Sequence, residues 1–172
     1  MADNKRRTAL FLASRSGYHD VVEVLITLGR IPLESTDWYG STALFAAVRN
    51  GHADVVELLL AAGAMAFQVQ DGFGRTLTWW ARRTGNSGVL QLLVQHAKRT
   101  GSSIHDDLNP IGTISIPFSH ESAWCDACTL SISDSSVCYC KLCDGGDFDL
   151  CAECFSIGIR CRNCMHVLLS RT

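Results

Sequence analysis

Apolar and polar positions in the first hundred residues repeat with a fixed period. Thr8, Thr42 and Thr76 stand 34 residues apart, as do Ala13, Ala47 and Ala81, and Gly17, Gly51 and Gly85. Three segments align on these positions: TALFLASRSGYHDVVEVLITLG, TALFAAVRNGHADVVELLLAAGA and TLTWWARRTGNSGVLQLLVQHA. Each predicts the same pair of helices. A threonine stands where its hydroxyl can accept an orphan N–H at a helix start. A short apolar helix follows, carrying Leu10, Phe11 and Ala13 in the first segment and Leu44, Phe45 and Ala47 in the second. Gly17, Gly51 or Gly85 then ends it, because glycine takes the left-handed conformation at a helix terminus. The second helix carries VVEVLI, VVELLL or VLQLLV, apolar on more than one face, as a helix between two neighbours must be. Gly29 and Gly63 close the first two of these helices.

The middle segment, GSTALFAAVRNGHADVVELLLAAGA, resembles the ankyrin repeat, and the resemblance covers residues 4–98. The family's proline is replaced by Ala9, Ala43 and Leu77, and its histidine by Phe11, Phe45 and Trp79, so the usual Thr–His side-chain bond is lost and an aromatic fills the space. The resemblance implies an all-α solenoid of about three repeats, each unable to bury its apolar face alone. It also implies protein binding through the concave face and hairpin tips. The first repeat begins at Asn4-Lys5-Arg6-Arg7 without a preceding turn segment, so it is either a cap or a piece of a longer array. The tips fall near Thr36-Asp37-Trp38-Tyr39 and Gln70-Asp71-Gly72-Phe73. Trp38, Tyr39 and Phe73 suit either a contact patch or packing on the next loop, and packing is the commoner role of an aromatic. Trp79 and Trp80 read as packing residues. His19 and His52 have no patterned base or nucleophile beside them and read as structural or solvent-facing.

Residues 99–119 read as a linker. A polar run ends the last helix, loop residues follow from Asp106 to Gly112, and Thr113 to Phe118 form one short strand. His105 and His120 read as surface histidines. The rest, residues 120–172, holds all nine cysteines, eight of them in four C-x-x-C pairs: Cys125/Cys128, Cys140/Cys143, Cys151/Cys154 and Cys161/Cys164. That spacing is the usual one for structural zinc, and four pairs imply about two ions. It suits a disulfide framework poorly, the cysteine count is odd, and the start MADNKRRTALFLAS lacks the apolar core of a signal peptide. A reducing compartment, cytoplasmic or nuclear, is therefore expected. No apolar run reaches the ~18 residues of a membrane span, and a formal charge of −2 gives no bias toward nucleic acid or membrane.

Spacing leaves open whether neighbouring or alternate pairs share a metal. The runs Cys125-Asp126-Ala127-Cys128, Cys140-Lys141-Leu142-Cys143 and Gly146-Asp147-Phe148-Asp149-Leu150-Cys151-Ala152-Glu153-Cys154 resemble the ZZ-type zinc finger. The resemblance implies a small zinc-stabilised cross-brace domain with short β-strands. One zinc would take Cys125, Cys128, Cys151 and Cys154. The other would take Cys140, Cys143, His166 and Cys161, with Cys164, or an all-sulfur Cys161/Cys164 pair, as the alternatives. Cys138 would be a spare buried thiol. Two four-ligand sites leave no open position, so the zinc is expected to be structural.

From Glu121 to Arg171 there are seven acidic and four basic side chains, a formal −3. Zinc-bound thiolates bring the module to about −6. Such a surface repels phosphate backbones and suits a cationic partner. The ZZ resemblance implies a peptide N-terminus held by Asp126, Asp147 and Asp149; the plainer role is ordering of the zinc loops, toward which Asp149 leans. The chain reads as a non-enzymatic adaptor binding protein or peptide. The alternative, a ubiquitin-ligase cross-brace, fails on spacing, since no C-x-x-C begins at Cys143. Redox chemistry lacks a surrounding βαβ pattern.

Overall fold

Three threonines start three helices. Thr8, Thr42 and Thr76 sit in extended backbone, and each hydroxyl accepts the N–H three residues on, from Phe11, Phe45 and Trp79. These caps open α1 (Ala9–Ser16), α3 (Ala43–Asn50) and α5 (Leu77–Arg83). Each is followed by a second helix: α2 (His19–Thr27), α4 (Ala53–Ala61) and α6 (Ser87–Thr100). The computed structural model describes residues 2–65, 70–71, 75–104, 123–125, 127, 131–132, 137–140, 148–156 and 167–171. The chain divides into two units, Met1–Ser115 and Ile116–Thr172.

In the first unit α3 packs between α1 and α5, while α4 packs between α2 and α6. The middle pair is therefore the most enclosed, and every residue from Ala43 to Arg49 is buried. Phe11 and Phe45 are buried in their helices, filling the site as expected; Trp80 is buried and Trp79 half-buried. Helix α6 runs two residues past the expected limit at residue 98. Its last three residues are exposed, and the glycine that ends it is Gly101, in the left-handed region at φ 67°. Gly17 does two things at once. It ends α1 at φ 73°, and the His52 ring lies so close that a Cβ there would come within 2.5 Å of it.

The turns before the helices follow a rule missed in the sequence. Asp3, Asp37 and Asp71 also stand 34 apart. Oδ1 of Asp3 accepts the N–H groups of Lys5 and Arg7, and Oδ1 of Asp37 accepts those of Tyr39 and Ser41. Oδ1 of Asp71 accepts the Arg75 N–H at 3.0 Å. An aspartate bonding backbone N–H groups ahead of it ties off a turn. The first repeat thus has its turn segment, contrary to the sequence expectation. Arg6 occupies the position of Gly40 there and adopts its left-handed conformation, φ 62° against 71°. Asp37 and Asp71 are also not surface tips, since both side chains are buried.

Asp71 is a joint between repeats. Its Oδ2 accepts from Arg49 Nη2 at 2.7 Å, Trp80 Nε1 at 2.9 Å and Arg75 Nε at 3.1 Å. The Arg49 guanidinium lies 4.3 Å from the Trp80 ring centroid and 5.4 Å from that of Phe45. Charge-assisted bonds and cation–π contact thus hold one arginine of the second repeat against the third. Arg49→Ala removes the shortest of the three donors to a buried carboxylate, while Arg75 still pairs with Asp71, so it should cost about 2–3 kcal/mol of stack stability in urea denaturation.

Asp37 lacks that arrangement. Arginines Arg7 and Arg75 stand four residues after Asp3 and Asp71, whereas Ser41 stands four after Asp37. Burial raises its pKa to about 6, against the opposing hydrogen bonds from Ser41 and Tyr39 and the charges of Arg49 and Arg7. At Asp3 burial also pulls upward, but the Arg7 N–H and guanidinium prevail and the pKa lies below the usual value. The folded state therefore holds a proton on Asp37 that the unfolded chain has released. This group's contribution to stability is most favourable below about pH 4 and is lost as pH rises through about 6. The loss is about 2–3 kcal/mol. Asp37→Asn, which keeps the turn acceptor, should remove this pH dependence between about pH 4 and 7 in helical circular dichroism, relative to wild type.

Candidate metal centre

The second unit is built on short strands. β1 (Ala123–Trp124) and β2 (Ser131–Ile132) form an antiparallel hairpin, with Ala123 opposite Ile132. β3 (Val137–Cys140) runs between β4 (Phe148–Cys151) and β5 (Leu169–Arg171), antiparallel to both. One helical turn, α7 (Ala152–Ser156), follows β4 directly. β5 begins at Leu169, and Val167 just before it is exposed. The strand expected over residues 113–118 lies outside the described residues.

Among the described residues, Leu150 is the one large aliphatic side chain buried in this unit; the others buried are Cys125, Ala127, Cys138, Cys140, Asp149 and Cys154. The buried side chains described there are thus richer in sulfur than in hydrocarbon. Thiols gathered in a short-stranded unit suit a metal site.

Three of those sulfurs converge. Cys125 follows β1, Cys151 is the last residue of β4 and Cys154 lies in α7. Their Sγ atoms all lie within 4.8 Å of one another. Four thiolates around a tetrahedral zinc stand about 3.8 Å apart, so each pair of these sulfurs exceeds that spacing by no more than about 1 Å. The Cys154 N–H points at Cys151 Sγ at 3.5 Å. A backbone donor there stabilises a thiolate and fixes its direction. All five described cysteines are thiols. Three thiolates this close repel one another unless a cation sits among them, which is the chemistry of a metal site.

The other candidate residues divide cleanly. Cys140 belongs elsewhere: the register sets it opposite Phe148, whereas Cys151 stands opposite Val137. That is about 10 Å along the ladder, and on the other face of the sheet. Cys138 and Cys140 share a face two residues apart, and both are buried. Asp149 is buried opposite Tyr139. Cys128, Cys143, Cys161, Cys164, His166, Asp126 and Asp147 lie outside the described residues. In the first unit, His52 is structural. Its ring covers Gly17, its Nε2 lies 3.0 Å from the Arg15 carbonyl, and burial lowers its pKa. His19 is partly exposed beside Asp20. Trp38 and Tyr39 are half-buried. Phe73, His105 and His120 are outside the described residues.

Residues 1–68 match the family model described as Ankyrin repeats (3 copies). Ankyrin repeats are therefore present in the front of the chain, and such stacks serve as protein–protein interaction modules. The third helix pair, α5 and α6, lies beyond the matched residues and carries the same cap-and-turn chemistry. No curated protein matches the chain. Among the described residues no helix is long and apolar enough to cross a membrane.

The cysteine geometry gives a direct check. With cobalt as the probe, Cys125→Ser and Cys154→Ser should each lower the thiolate charge-transfer absorbance of the loaded chain, since each removes a clustered ligand. Cys138→Ser should leave it unchanged, because that sulfur is not in the cluster.

Proposed function

We propose that this chain is a non-enzymatic adaptor with two binding parts, an ankyrin stack that takes up a protein partner and a ZZ-type zinc module that takes up a second protein or peptide. The observation that carries the second part is the meeting of Cys125 with Cys151 and Cys154, from the first and third C-x-x-C pairs, while Cys140 of the second pair stands at the far end of the β3–β4 ladder. Ligands taken from alternate pairs are the mark of a cross-brace. In this reading Cys125, Cys128, Cys151 and Cys154 hold one zinc, and Cys140, Cys143, Cys161 and His166 the other. Both ions are structural and tie the short strands together.

The negative module would attract a cation, and Asp126 and Asp147 would receive the protonated amine of a peptide N-terminus. Asp149, buried in β4, would order the strands of the module. Phosphate backbones would be repelled. Ligands that must remain thiols favour the cytoplasm or nucleus as the working compartment.

Elemental analysis of the purified chain should give two zinc ions, and one or none would sink the cross-brace. Cys161→Ser should lose more zinc than Cys164→Ser; the reverse would transfer the ligand role to Cys164. Asp126→Ala combined with Asp147→Ala should abolish binding to an array of peptides with free N-termini while both ions stay bound. Unchanged array binding would discard the amine pocket.

A further inference from the structure

Two serine or threonine residues of the chain have an arginine three places before them, Thr78 after Arg75 and Ser102 after Arg99. The structure separates them. Thr78 is 3% exposed inside α5, whereas Ser102 lies in a run, Lys98 to Ser103, of which every residue is exposed. That run also ends a helix. Gly101 takes the left-handed conformation that closes α6, and the Ser102 N–H caps the Ala97 carbonyl at 3.0 Å. The Ser102 Oγ lies 2.9 Å from Thr100 Oγ1, itself exposed. An exposed last turn frays at little cost, so this stretch can leave the helix and lie extended in an enzyme's groove.

We infer that Ser102 is a phosphorylation site for an arginine-directed protein kinase. An arginine three residues before the acceptor offers a planar fork for carboxylates of such a groove, and Lys98 adds a second positive charge beside it. In the transfer the Ser102 Oγ attacks the γ-phosphorus of ATP. The new P–O bond forms as the bond to ADP breaks, and the hydroxyl proton passes to the kinase's base. The phosphate then acts on α6. It brings about −1.5 to −2 charges at pH 7. These stand against the negative end of the helix dipole, beside the carbonyls of the last turn. The neighbouring cations compensate little, because helical side chains lean toward the N-terminus, and Arg99 Nη2 is turned back to within 3.0 Å of His96 Nδ1. The cap on Ala97 weakens and the last turn of α6 unwinds.

Incubation of the full chain with ATP and an arginine-directed serine/threonine kinase, followed by mass-spectrometric mapping, tests the site. Phosphate on Ser102 is expected. Ser102→Ala should abolish it, and Arg99→Ala should slow it at least about tenfold through the loss of a charge-assisted pair. Both side chains are exposed, so both variants keep the fold. In the phosphorylated chain the Gly101 amide, which bonds the Ala97 carbonyl, should exchange at least about threefold faster, with α3 unchanged. No phosphate, phosphate on another residue in place of Ser102, or a rate indifferent to Arg99 would overturn the site. Unchanged exchange at Gly101 would overturn its action on α6.

Discussion

A pair of short helices buries too little apolar surface to stand alone, and the structure of both units follows from how that deficit is met. In the first unit each helix pair lends a face to the next. The middle pair, covered on both sides, is buried throughout Ala43–Arg49, while the first pair leaves Val21 and Tyr18 exposed. In the second unit the described side chains that are buried are mostly cysteines, and a metal held by Cys125, Cys151 and Cys154 would tie β1, β4 and α7 together.

Polar groups set the registry of the stack. An aspartate at each turn organises the loop before the helix, and at Asp3 and Asp71 its second oxygen meets the arginine four residues on. At Asp71 that oxygen gathers Arg49, Arg75 and Trp80, so one carboxylate connects a turn, a helix and the preceding repeat. At Asp37 the local arginine is replaced by Ser41, and the carboxyl holds its proton to about pH 6. The contrast is between equivalent positions of one chain, which makes burial and pairing separable causes. Lost pairing at one turn is a tolerable cost in a stack whose other contacts are apolar.

The first helix of each pair was legible twice over, from its apolar period and its threonine cap, whereas α2, α4 and α6 were legible from their apolar residues alone. The buried carboxylates were not, because Asp37 and Asp71 sit among loop residues and aspartate at a turn ordinarily faces water. The 34-residue spacing of Asp3, Asp37 and Asp71 was the available signal, and it would also have revealed the turn of the first repeat. Arg49 gave no signal, since a buried arginine is recognisable only with its partner 22 residues away. In the second unit the C-x-x-C spacing pointed to metal, but spacing left the pairing of ligands open. The strand register separates Cys140 from Cys151, and that separation depends on how β3 and β4 align.

The central claim is that one unit is held by stacking and the other by metal. Amide spectra of the isotope-labelled chain, recorded before and after a strong zinc chelator is added, test it most directly. Signals from residues 123–171 should collapse to unfolded positions, while those from residues 2–104 should remain where they were. Dispersed signals for Cys138 to Cys151 that persist in the metal-free chain would contradict the account.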